Sequence, residues 1–102
     1  MIGDGVPQDL HKAAVWFNKA AHQGDPQAAY YLGLAYANGA GLPQDILQAH
    51  AWLNIASKLG DEDATAAGRR LERYMTIEQL KGAAKIAKEI SAKLPKKQND
   101  QR

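Results

Sequence analysis

Displaced against itself by 36 positions, the sequence aligns Ile2 to Ala28 with Asn38 to Ala64, and 12 of those 27 pairs are identical. The identities are Gly3/Gly39, Gly5/Gly41, Pro7/Pro43, Gln8/Gln44, Asp9/Asp45, Ala13/Ala49, Trp16/Trp52, Asn18/Asn54, Ala20/Ala56, Gly24/Gly60, Asp25/Asp61 and Ala28/Ala64. Tryptophan, proline and three glycines are among them, so an alanine-rich composition does not account for the match. A fixed period of this length decides the architecture before any local pattern is read. Each unit buries its apolar face only against a neighbour, which builds a linear array rather than a single globule.

Each unit reads as two helices joined by a short turn. In the first, Leu10, Ala13, Trp16, Phe17, Ala20 and Ala21 recur at steps of three and four and form one apolar stripe. Gly24 supplies the left-handed position that ends this helix, Asp25 caps the next, and Pro26 suits its first turn, where a missing N–H costs nothing. Ala28, Leu32, Ala35 and Tyr36 give the second helix its apolar face, Gly39 and Gly41 close the unit, and Pro43-Gln44-Asp45 opens the next helix. There Ile46, Ala49, Trp52, Leu53 and Ala56 repeat the plan and Gly60 ends it. The tryptophans share one register inside an apolar stripe, so packing is expected of both rather than ligand stacking.

The fourth helix, roughly Glu62 to Tyr74, departs from the pattern: Gly33, which would admit a close neighbour, becomes Arg69, Leu32 becomes Gly68 and Tyr36 becomes Glu72. A surface made polar in this way stops the array. A closing helix follows, with Thr76 and Gln79 as a capping box and Ile77, Leu80, Ala84, Ala87, Ile90 and Leu94 on one face. The expected organisation is two repeats within 1–75, at about 5–40 and 41–75 after the end of a truncated unit. A closing helix over 76–94 and a disordered tail over 95–102 complete it.

Alanine is the commonest residue and aromatics number only seven. Small side chains bring helix axes close together, which favours helix on helix and an all-α chain. The absence of cysteine excludes a disulfide framework, a thiolate zinc site and a cysteine nucleophile. No apolar run is long enough to span a membrane, and Met1 to Pro7 lack the basic segment and apolar core of a signal peptide.

The run Ala28, Leu32-Gly33, Tyr36, Gly39, Gly41-Leu42, Asp45, Ala49, Trp52, Gly60 resembles the Sel-one-like repeat, a branch of the tetratricopeptide superfamily. The copy Gly3, Gly5-Val6, Asp9, Lys12-Ala13, Trp16, Lys19-Ala20-Ala21, Gly24 is similar to it as well, and the two cover about three quarters of the chain. The resemblance implies a right-handed α-α superhelix, a solenoid of antiparallel helix pairs that serves as a protein-interaction scaffold without a catalytic centre. It also implies that the first helices line a concave surface. Some cysteine-rich members are linked to β-lactam or cell-wall binding or hydrolysis, but their loop cysteines are absent here. Members occur in several compartments, so location stays open. The sequence starts within a unit, at Ile2-Gly3-Asp4-Gly5, which implies a fragment of a longer array or a lost N-terminal cap. Apolar surface around Val6 and Leu10 is then expected to be exposed and to support self-association.

On that concave surface the resemblance places His11, Val15, Asn18 and His22, continued by Leu47, Ala51, Asn54 and Lys58, a stripe spaced by four, three and four. Asn18 and Asn54 offer a donor and an acceptor at equivalent positions. They suit clamping of a peptide backbone, and, somewhat better, a neighbouring carbonyl between repeats. Asp9 and Asp45 read as helix N-terminal carboxylates rather than a catalytic pair. His11 and His22 stand three turns apart, roughly 16 Å, so one metal ion cannot join them, and neither metal nor cofactor is expected. Of Tyr30 and Tyr31, one should be exposed, because adjacent residues cannot face the same way. The charge splits into −2 over 1–75 (six basic, eight acidic) and +4 over 76–102 (seven basic, three acidic). Lys81, Lys85, Lys88, Lys93, Lys96 and Lys97 lack interleaved aromatics, so they read as a solvated face, and neither nucleic acid nor membrane is the expected partner. A protein or peptide partner is. The alternatives are the cell-wall binder or hydrolase drawn from the resemblance, and a purely structural segment of a longer array.

Overall fold

The turn that joins the helices of each unit is written twice, and it folds twice in the same way. Asp25 N–H donates to the Ala20 carbonyl at 3.2 Å and Asp61 N–H to the Ala56 carbonyl at 2.9 Å, one period apart. Gly24 and Gly60 carry the left-handed backbone that permits this, at φ 92° and 112°. The Asp25 carboxylate then accepts from the N–H groups of Gln27 and Ala28, and Asp61 accepts from Ala64 N–H, so both second helices start capped.

The computed structural model describes residues 5–95, with side chains from residue 9 onward. Among the described residues there are five α-helices and no strand: α1 Gly5–Ala21, α2 Pro26–Asn38, α3 Ile46–Lys58, α4 Glu62–Glu72 and α5 Ile77–Lys93. Gly3, the Val6 side chain and the tail over 96–102 lie outside the described residues. The molecule measures 51 × 34 × 21 Å, the elongated shape of helices laid side by side. No helix among the described residues is long and apolar enough to cross a membrane.

The middle helix organises the rest. α3 packs on α2, α4 and α5, whereas α1 packs on α2. Gly33 makes the α2–α3 approach possible: a Cβ there would lie 2.8 Å from Leu53 Cγ and 3.1 Å from the Ala49 carbonyl oxygen. The core consists of Leu32, Trp52, Leu53 and Ile55 set among buried alanines, with Ala67 of α4 and Ala87 of α5 joining it.

Several sequence expectations change at this level. Asp9 does not cap α1, and Gly5 is not a loop glycine: α1 begins at Gly5, which puts Asp9 inside the helix. In the second unit Gly41, at φ 88°, presses on the Leu10 carbonyl, and its own carbonyl accepts from His11 Nδ1–H at 3.0 Å. That docking holds residues 41–44 off the helix, so Asp45 caps α3 by accepting from Gln48 N–H at 3.1 Å. Pro7 fits the first turn of an α1 that is one turn longer.

Trp16 is not packed. It is 61% exposed, whereas Trp52 is 2% exposed in the core. The Trp52 ring meets the edge of His22 at 4.9 Å and sits in the cluster that includes Ala87, while the one ring against Trp16 is its neighbour Phe17, at 5.9 Å. The closing helix begins with the expected capping box, Thr76 with Gln79, and Leu80, Ala87, Ile90 and Leu94 of the expected face turn inward, but Ile77 and Ala84 do not. Ala83 and Ala87 are buried with Ile86, Ile90 and Leu94 half-buried beside them, whereas Ile77 is 72% exposed and Ala84 is exposed. This face covers α3 rather than α4.

Candidate functional site: a cleft within each unit

Where the two helices of a unit splay apart they leave an open cleft, and the clefts of the two units are built from equivalent positions. The first, about 270 Å3, has Ala14 and Asn18 on α1 facing Leu32 and Tyr36 on α2. The second, about 190 Å3, has His50 and Asn54 on α3 facing Gly68 and Glu72 on α4. Each of these four pairs is separated by 36 residues.

The same scaffold carries different chemistry in the two places. His11, Val15, Lys19 and Leu42 extend the first cleft, whose wall is mostly apolar. Burial, and then the Asp45 carboxylate, raise the Tyr36 phenol above its ordinary pKa of 10.0. The phenol therefore stays protonated at neutral pH and offers an O–H. In the second cleft Glu72 stands in the place of that tyrosine and accepts from Nε2–H of the buried His50 at 2.9 Å. Nδ1 of His50 is buried without a partner among the described residues. Ser57 hydrogen-bonds Thr65 across the cleft, and exposed Arg69 stands on its wall.

The proposed stripe is thus divided. His11, Val15 and Asn18 line the first cleft and Asn54 the second. His22 is drawn to the other side, where its ring meets Trp52 and its Nδ1–H donates to the Asn18 carbonyl at 2.8 Å. Ala51 is fully buried, so it cannot touch a partner, and Leu47 is half-buried against Gly82 of α5. Lys58 is exposed and lines neither cleft. Spacing along one helix shows which residues share a side, but not which side a later helix covers; α5 takes Leu47. No side-chain hydrogen bond joins the Asn18 or Asn54 amide to another described residue. Sequence reasoning missed His50 and Glu72, whose one visible signal was the replacement of Tyr36 by an acid one period later. Tyr31 is the more exposed of the adjacent tyrosines and stacks on Phe17 at 5.2 Å. No group of three or more histidine or acidic side chains that could hold a metal ion occurs among the described residues.

Comparison with known proteins agrees with this architecture. A sequence model of the Sel1 repeat matches residues 1–25 and 26–61, the latter a full period of 36. The crystal structure of a protective antigen present in uropathogenic Escherichia coli strains, described as displaying an SLR fold, superposes with a TM-score of 0.79 at 30% identity over 90% of this chain. The chain spans 21% of the length of that protein. No curated protein sequence matches it. With the 36-residue period, the doubled turn and the shared clefts, these matches establish that the chain belongs to the Sel1 repeat family and folds as a helical repeat solenoid, a fold that generally serves protein interaction.

Proposed function

We propose that the chain is a binding scaffold that holds an extended segment of a protein partner across the two intra-unit clefts. The observation that carries this is the pair of asparagine amides, one period apart, each on the wall of an open cleft and without a side-chain hydrogen bond to another described residue. An amide placed in this way can accept from a peptide N–H and donate to a peptide carbonyl, and a repeat in the scaffold suits the repeat of a peptide backbone. The Tyr36 O–H adds a donor in the first cleft and Arg69 adds one in the second, so the segment is read by hydrogen bonds while Val15 and Leu42 receive its apolar side chains.

Combined replacement of Asn18 and Asn54 by alanine tests this. Against non-acidic peptides selected for binding to the parent chain, calorimetric titration should show a loss of about tenfold or more, as two hydrogen bonds of ~0.5–1.5 kcal/mol each imply, with the melting temperature unchanged. A lower melting temperature with affinity unchanged would assign both asparagines to packing and overturn the proposal.

A further inference from the structure

A third opening lies away from the clefts, where α2 and α4 flank α3, and it is larger than either, at about 340 Å3. Its apolar lining comes from three helices: Leu34 and Ala37 of α2, Leu53 of α3, Ala67 and Leu71 of α4. Arg70 and Arg73 stand on its rim with Tyr74, which is 79% exposed. Among the described residues neither arginine has a carboxylate within ion-pairing distance, and neither has Arg69 beside them, since Glu72 on the same helix is engaged by His50. Cations at a helix C-terminus complement the helix dipole, which accounts for their sign. It does not account for an apolar trough lying beneath two of them.

We infer that this groove is a second docking surface, for an acidic peptide segment that seats an aliphatic or aromatic side chain between Leu34, Ala37 and Leu71 and places carboxylates on Arg70 and Arg73. Charge complementarity selects the occupant. A guanidinium pairs two parallel N–H groups with a carboxylate, and its planar face tolerates burial better than an ammonium does. The floor favours a peptide over a nucleic acid, because the half-buried Leu34, Ala37 and Leu71 suit a branched side chain and offer nothing to a phosphodiester. The Tyr74 ring, standing free beside the arginines, supplies the amphipathic contact typical of an interface anchor. By the period, Arg70 and Arg73 stand where α2 has Leu34 and Ala37, so the second unit has charged a position that the first keeps apolar.

The experiment is selection of a random displayed-peptide library on the full chain, followed by titration of the enriched peptides against Arg70→Glu/Arg73→Glu. Both side chains are exposed, and a circular dichroism melt establishes that the variant is folded. The inference expects enrichment of acidic peptides carrying a large apolar residue. Their affinity should fall about tenfold or more in the charge-reversed variant and decline with added salt, while remaining unchanged in Asn18→Ala/Asn54→Ala. Three results overturn it: no acidic enrichment, acidic peptides that bind the charge-reversed chain equally well, or a single-stranded oligonucleotide that displaces them at lower concentration than the peptides themselves. Binders sensitive only to the asparagine substitutions would support the cleft reading and reject this one, so the two fail separately.

Discussion

Trp16 and Trp52 occupy one position of one repeat, and their surroundings separate them. Trp52 sits between the His22 ring and the core alanines, whereas among the described residues Trp16 has Phe17 alone for a ring neighbour. Trp52→Ala should therefore cost about 3–5 kcal/mol, the range for a large aromatic removed from a packed core. Trp16→Ala should stay under about 1 kcal/mol, as for an exposed position. Paired urea denaturation curves check both, and similar midpoints for the two variants would contradict the packing described here. The asymmetry also shows what was legible. The Gly24-Asp25 and Gly60-Asp61 turns were readable because every bond in them closes within six residues. Burial of a tryptophan was not, because it depends on a partner helix that the stripe on its own helix does not reveal.

Among the elements, the loop between α2 and α3 is the most tightly specified. Gly41 combines a left-handed backbone with contact against the Leu10 carbonyl, so a Cβ there meets both a conformational and a steric obstacle. Gly41→Ala should destabilise the chain by about 3 kcal/mol or more, measured by thermal melting. Gly24→Ala, where a Cβ meets no atom within 4 Å, should show only the backbone penalty, about 1–2 kcal/mol. Equal losses would mean that the Gly41 contact yields without cost. The loop glycines stood out in the sequence, but their counterpart Gly5 lies in a helix, since identity of residue does not bring identity of docking site. The closing helix illustrates the same limit. Ala83 and Ala84 are equally apolar, so the pattern admits two faces one residue apart, and contact with α3 settles which of them turns inward.

At the level of the whole molecule, the α1 end carries Leu10, Trp16 and Tyr31 at 40%, 61% and 40% exposure. Leu10 and Tyr31 share a shallow opening with Phe17, which also touches Trp16. An aromatic surface of this kind is expected to self-associate. Sedimentation equilibrium should show mass rising with concentration in the parent chain and a monomer for Trp16→Glu; a clean monomer of the parent at high micromolar concentration would refute it. The split candidate stripe belongs to this scale too, because α5 lies over Leu47 from some thirty residues further along the chain. That placement has a consequence for motion. Docking of α5 on α3 closes a loop that contains all of α4, yet α4 itself packs chiefly on α3. It can therefore loosen as a local unit without unseating α5. The arginine groove has one wall on this helix, so its width is adjustable, and a segment gripping it would set the position of α4 in the act of binding.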